Sequence, residues 1–204
     1  AVNRARASSG ERPRVDPASA RDVASSPMNA PSFDAARLRD LVARFGGLRM
    51  AVLGDLMLDR YLWGRVERIS PEAPVPVVEV ESETFTLGGA GNVAANLAAL
   101  GARPVLLGAV GADATGQQLL DAFTARGVDA THVVRDRTRP TTLKTRLMAQ
   151  AQQVVRFDSE SRLGLVDDAL SRLIAGIALA LADCDGLIVS DYGKGVVIPA
   201  TLEA

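Results

Sequence analysis

Three short stretches of this chain, Met50-Ala51-Val52-Leu53-Gly54, Val105-Leu106-Leu107 and Leu187-Ile188-Val189, are apolar at every position instead of every second one. A strand of that kind must be covered on both faces, which is what a parallel sheet with helices packed on either side provides. The sequence between these stretches has a helical period where such helices are needed. Residues 91–100 place Val93, Leu97 and Leu100 on one face, and the same reading predicts helices over 115–125 and 166–182. Ahead of the first strand, residues 34–45 carry Leu38, Leu41, Val42 and Phe45 at helical spacing, with Asp34 as N-cap and Gly46-Gly47 as the stop. Strands and helices alternating in this way predict an α/β fold with an open, mostly parallel sheet.

Residues 75–87 read differently. Val78-Glu79-Val80-Glu81 alternates, and Pro74 and Pro76 each lack an amide donor, so this segment is predicted as a half-exposed strand in a separate small sheet. Two further extended runs are predicted at 141–148 and 153–158. The chain reaches Ala204 just after the third apolar strand, where another helix is starting. A doubly wound domain normally continues beyond such a point, so the expectation is the N-terminal part of a longer protein.

Composition removes several roles. With 23 Lys and Arg against 24 Asp and Glu, a net charge of -1 and 48% hydrophobic residues, the chain is neither a basic nucleic-acid arm nor wholly disordered. No apolar run approaches the roughly 20 residues that a membrane span requires. A single cysteine, Cys184, cannot form an internal disulfide and points to a reducing compartment such as the cytoplasm. Residues 1–32 hold six Ser, four Pro and five Arg and no Leu, Ile or aromatic residue. Such a segment buries nothing that offsets the entropy of ordering it, so a disordered extension is expected, with the folded domain over 33–204 and Met28 as the natural start.

Gly88-Gly89-Ala90-Gly91-Asn92-Val93-Ala94 is the stretch richest in chemical implication, because glycines opening a helix let a polar ligand approach backbone amides closely. It admits two functional readings. Gly89 to Ala94 formally fits the G-x-G-x-x-A variant of the dinucleotide fingerprint, with Asp113 about 20 residues further on. That fingerprint needs a buried central strand before the glycines, whereas the strand here alternates Val with Glu. In the second reading the glycines floor a sugar site, and Asn92 offers a donor and an acceptor to vicinal hydroxyls. A tight turn capping a helix is the plain structural alternative. Asp55 and Asp59 follow the first apolar strand, at the edge where open α/β sheets bind ligands, and a carboxylate accepts hydrogen bonds from sugar hydroxyls. Asp55 reads equally well as the cap of a turn. One His and one Cys assemble no zinc site, and Gly193-Lys194-Gly195 lacks P-loop spacing.

Residues 88–111, continued by Ala112-Asp113, resemble the first signature of the ribokinase-like (PfkB) carbohydrate kinases. More narrowly, Gly54-Asp55 with Leu58-Asp59-Arg60-Tyr61, the string from Arg68-Ile69-Ser70-Pro71-Glu72 to Val77, Gln152-Gln153 with Arg156-Phe157-Asp158, and Ser190-Asp191-Tyr192-Gly193-Lys194-Gly195 resemble the heptose 7-phosphate kinases of that family, often the first half of a bifunctional kinase/adenylyltransferase. The resemblance runs from about Arg49 to the last residue. It implies a ribokinase-like sheet flanked by helices, with a small β lid over approximately 65–87 and 141–158 that also forms a homodimer contact. It further implies ATP with Mg2+ as phosphoryl donor and a small sugar phosphate as substrate, phosphorylated at its C1 hydroxyl for ADP-heptose and the lipopolysaccharide core. Asp59, Gly88, Gly89 and Asn92 would touch the sugar, with Tyr61 and Trp63 in the lid.

The family's second signature, of the Gly-Ala-Gly-Asp type with its catalytic base, and its Asn-x-x-Glu element do not occur in these 204 residues. No catalytic residue is therefore assigned, and the chain alone is expected not to turn over, since phosphoryl transfer depends on those positioning and electrostatic parts. Other sugar or nucleoside kinases of the family, and a non-catalytic sugar-binding or dimerisation module, remain alternatives. Of the 23 basic residues 21 are Arg, and the two exceptions, Lys144 and Lys194, both lie within family-like motifs. A lysine is a compact point charge suited to phosphate, so Lys194 is read as a phosphate contact, with Lys144, Arg146 and Arg156 as further candidates for the substrate phosphate.

Overall fold

β1 (Arg49–Gly54) lies at the heart of a four-stranded sheet, and its Ala51, Val52 and Leu53 have no exposed surface. β4 (Arg103–Gly111) pairs parallel on one side of it and β8 (Gly186–Ser190) parallel on the other, while β5 (Val133–Asp136) pairs parallel with β4, giving the order β5-β4-β1-β8. The computed structural model describes residues 34–150 and 152–204. The chain divides into two units, Ala1–Ala35 and Ala36–Ala204. Both sheets belong to the second unit, and the expectation for residues 1–32 lies outside the described residues.

Side chains that alternate along β1 and β4 feed two separate cores, which is why both strands read as apolar throughout. Ala51, Leu53, Val105 and Leu107 pack with Leu173, Ile177 and Ala180 of α4 (Asp167–Leu181). Val52, Leu106 and Val110 pack on the opposite side with Ala90 and Ala94 of α2 (Gly89–Ala99) and with Leu119 and Phe123 of α3 (Ala114–Thr124). This is the α/β architecture expected, a mostly parallel sheet flanked by helices. β8 departs from its sequence reading: Leu187 and Val189 are 40% and 43% exposed, because α4 lies over β4 and β5 and does not reach the edge strand. β5 was not foreseen, being too short and too polar to stand out. α1 (Ala35–Ala43) follows Asp34 directly and buries none of its residues.

The second sheet has the order β3-β2-β6-β7. β2 (Leu56–Ile69) and β3 (Pro76–Gly88) form one antiparallel hairpin, β6 (Thr142–Ala149) and β7 (Gln152–Ser159) another, and β2 joins them by pairing parallel with β6. It thus begins at Leu56, well before residue 65. β2 escaped the sequence reading because register shifts at Trp63/Gly64 and Val66/Arg68 break its alternation. β3 is more exposed than the half-buried pattern expected, since no helix covers its outer half. The family-like string Arg68 to Val77 makes the turn of this hairpin, with the Ser70 amide on the Val75 carbonyl at 2.8 Å.

Candidate functional site: a polar face on the second sheet

Residues paired across a ladder project to the same face, so the register alone gathers a site here. Asp59 pairs with Thr86 and Lys144, Tyr61 with Thr84 and Arg146, and Trp63 with Ser82 and Met148. Across the next ladder Lys144 pairs with Asp158 and Arg146 with Arg156. Asp59, Lys144, Arg146 and Arg156, named from sequence as separate candidates, therefore share one surface with Tyr61, Trp63 and Asp158. Arg146 Nη1 lies 2.5 Å from Asp59 Oδ1, and Arg156 Nε lies 3.2 Å from Asp158 Oδ1. The Tyr61 and Trp63 rings stack with centroids 5.9 Å apart, and the Arg146 guanidinium stands 5.1 Å above the Tyr61 centroid. Trp63 Nε1 donates to Thr84 Oγ1 at 2.9 Å, which fixes the outer ring. The hydrogen bond to Asp59 raises the Arg146 pKa above its ordinary value; burial opposes this and is outweighed. The face carries three cations against two carboxylates, a surplus that suits an anionic ligand.

Gly88 and Gly89 close the inner end of this face, and neither can carry a side chain. A Cβ on Gly88 would stand 2.6 Å from Asp59 Oδ2, and one on Gly89, where φ is +55°, would stand 2.3 Å from the Asp55 carbonyl oxygen. The pair thus makes room for the Asp59 carboxylate and turns the chain from β3 into α2. Gly91 serves packing: its Cα faces the Phe123 ring, 2.8 Å from the place of a Cβ. Asn92 is exposed on the first turn of α2 and lines a separate groove of about 450 Å3 with Thr86, Ala95, Asn96 and Arg126. Thr86, the ladder partner of Asp59, is the residue that links this groove to the polar face.

Lys194 is placed elsewhere. Its Nζ lies 2.8 Å from both carboxylate oxygens of Glu160, the residue after β7, and both side chains are 12% exposed. In the ligand-free structure that ammonium is paired with a carboxylate, away from the Asp59 face. The backbone around it is equally committed. Asp55, fully buried, accepts from the amides of Tyr192 at 2.8 Å, Lys194 at 3.1 Å and Val196 at 3.2 Å. The glycine loop therefore cradles the protein's own carboxylate, and Asp55 takes the turn-capping role. Lys194 holds the Glu160 carboxyl below its ordinary range, with Arg162 adding to the effect.

Arg139, which the sequence did not signal, and Asp113, which it did, complete the frame. Arg139 Nε stands 3.2 Å from Asp136, its Nη1 donates to the Lys194 carbonyl at 3.0 Å and its Nη2 to that of Leu163. Asp113, the acidic residue of the dinucleotide reading, caps α3 through the Gly116 amide and accepts from both the amide and the hydroxyl of Thr141 at the foot of β6. Burial would raise its pKa, but these hydrogen bonds outweigh it and leave the carboxyl below its ordinary value. With Asp113 so engaged, and with the glycines following the outer strand of the second sheet, the dinucleotide reading loses its structural context. Among the described residues no group of three or more His, Cys, Asp and Glu side chains is placed to hold a metal ion, and no helix is long and apolar enough to cross a membrane.

Comparison with known proteins identifies the family and the fold. Residues 48–175 match the pfkB family carbohydrate kinases. The chain is 50% identical over 148 residues to the bifunctional protein HldE of Helicobacter pylori, covering 72% of this chain and 32% of that protein. Over 167 residues it is 48% identical to the HldE of Geotalea uraniireducens, covering 82% and 34%. It thus spans about a third of the length of these relatives. Among solved structures, phosphofructokinase-2 from Escherichia coli superposes with a TM-score of 0.58 at 21% identity, over 76% of this chain and 48% of that one. A phosphofructokinase-like protein from Staphylococcus aureus gives 0.58 at 14%, over 74% and 46%. These two likenesses concern the fold, whereas the family match covers more than half of the chain, and on that ground the chain belongs to the pfkB family of carbohydrate kinases.

Proposed function

We propose that this chain is the sugar-binding portion of an ATP-dependent kinase that phosphorylates the C1 hydroxyl of D-glycero-D-manno-heptose 7-phosphate, a step toward ADP-heptose for the lipopolysaccharide core. The observation that carries the reading is the shared face of the second sheet, where Asp59 is set among Lys144, Arg146 and Arg156. A carboxylate accepts from hydroxyls and a guanidinium pair grips a phosphate in bidentate fashion, so one surface offers both halves of a sugar phosphate their partners. Gly88 and Gly89 give the sugar a floor without side chains, and Thr86 separates that floor from the groove of Asn92. The likeness to proteins named HldE supports the heptose as the sugar.

ATP with magnesium is the donor in this reading. The residues present do not fit either: no metal-holding cluster exists among the described residues, the amides of Tyr192, Lys194 and Val196 are taken by Asp55, and that of Gly193 is taken by Asp191. The 204-residue chain by itself is proposed to bind sugar without turnover. Titration calorimetry with the heptose 7-phosphate is expected to show binding that Asp59→Asn weakens about tenfold or more, the loss of charge-assisted hydrogen bonds. An assay coupled to ADP release is expected to stay silent. Absence of binding to the wild-type chain would remove the substrate assignment, and turnover would remove the proposed inactivity.

A further inference from the structure

Resting on the reading of this face as a sugar-phosphate site, we infer that Arg146 releases Oδ1 of Asp59 to sugar hydroxyls only when a phosphate is present. One oxygen of Asp59 is engaged in the ligand-free face: Oδ1 is held by Arg146 Nη1 at 2.5 Å, while Oδ2 lies over Gly88, which has no side chain. The two side chains are 17% and 20% exposed, so water screens the pair weakly. A neutral hydroxyl competes poorly with a guanidinium for a carboxylate, because a charge-assisted hydrogen bond is roughly twice as strong as a neutral one. A phosphate competes for the other member of the pair. It offers the guanidinium charge-assisted bonds in the bidentate geometry that Arg favours.

The register shows where such an anion would sit. Arg146 stands directly across the ladder from Arg156, and like charges in that relation destabilise a sheet. In the structure Asp59 and Asp158 offset them, each from its own strand. A phosphate between the two guanidiniums takes over that neutralisation and leaves Oδ1 of Asp59 to accept from a hydroxyl. Tyr61 lets the exchange happen without loss of order: the guanidinium rests on its ring, 5.1 Å from the centroid, and can turn from carboxylate to anion while keeping that contact. Arg146 is thus a specificity residue, one that withholds Oδ1 of the sugar-binding carboxylate from unphosphorylated sugars.

Titration calorimetry of this chain with D-glycero-D-manno-heptose 7-phosphate and with the same heptose lacking its phosphate tests the coupling, with thermal melts to verify folding of each variant. The wild-type chain is expected to prefer the phosphorylated sugar by about 100-fold. Arg146→Met is expected to cut that ratio at least tenfold, weakening the phosphorylated ligand while strengthening the unphosphorylated one. Arg146→Lys, which keeps the charge should the Met variant not fold, is expected to lower the ratio about tenfold, because a point charge cannot grip the phosphate in bidentate fashion. If Arg146→Met weakens both sugars in equal proportion, Arg146 merely orients Asp59 and the coupling is overturned while the site reading stands. If the wild-type chain binds neither sugar, the site reading falls and this inference with it.

Discussion

Asp55 and Asp59 stand four positions apart and have opposite fates. The first ends a buried strand and meets three amides of a neighbouring loop; the second lies on an open sheet face and meets a guanidinium. Thr141 shows the same dependence on surroundings. Its hydroxyl accepts from the buried Gly111 amide at 2.8 Å and donates to Asp113 at 2.7 Å, so one small side chain ties β4, α3 and β6 together. Thr141→Val keeps the shape and strands the Gly111 amide, and is expected to cost about 1–3 kcal/mol in urea unfolding at neutral pH. It also removes part of what depresses the Asp113 carboxyl. A depressed folded-state pKa contributes stability that is present above the unfolded value of roughly 4 and is lost as pH falls through the folded value. The stability difference between wild type and Thr141→Val should therefore shrink below about pH 4. A difference constant down to about pH 2 would show that the Thr141 hydrogen bonds do not set the Asp113 titration.

Between elements, all four inner strand ends of the second sheet lead back to the body built on the first, and three of them carry a polar contact. β2 leaves β1 through Asp55, β3 enters α2 through Gly88, β6 starts beside the Asp113–Thr141 knot, and β7 ends at Glu160 on Lys194. The last of these is an ion pair largely withdrawn from water, so removing one partner strands the other. Lys194→Met is expected to cost about 3 kcal/mol, and the double variant Lys194→Met with Glu160→Leu much less than the sum of the singles. Hydrogen exchange should report the Lys194→Met loss first at the amides of β7. A cycle with no coupling energy would mean that the loop is held by Asp55 and Arg139 alone.

For the molecule as a whole, the reverse side of the second sheet is an apolar surface left open among the described residues. Phe157 and Val155 are 51% and 45% exposed there, with Leu62 and Leu147 half-buried beside them in register. An apolar strip of this kind suits contact with a second copy, and the homodimer through this sheet is proposed on that basis. Sedimentation velocity at micromolar concentration is expected to give a dimer that Phe157→Glu converts to monomer. A monomeric wild-type chain would dispose of the proposal.

The two-layered cover of the parallel sheet was readable without coordinates, because strand type and helix period are local patterns: uninterrupted apolar runs at β1 and β4, and a 3.6-residue repeat in α2, α3 and α4. Asp59 and the glycines of Gly88–Gly91 also stood out by themselves, as residue types in motif spacing. What no local pattern contains is the meeting of Asp59 with Arg146, 87 positions later, or the diversion of Lys194 to Glu160. Each depends on which strand lies beside which and in what register, and a shift of one residue between β2 and β6 would send Arg146 to the opposite face. Residue chemistry and strand type were thus settled along the chain, whereas the pairing of charges was settled only when the two hairpins were laid side by side, because side-chain partners in a sheet are chosen by neighbours in space.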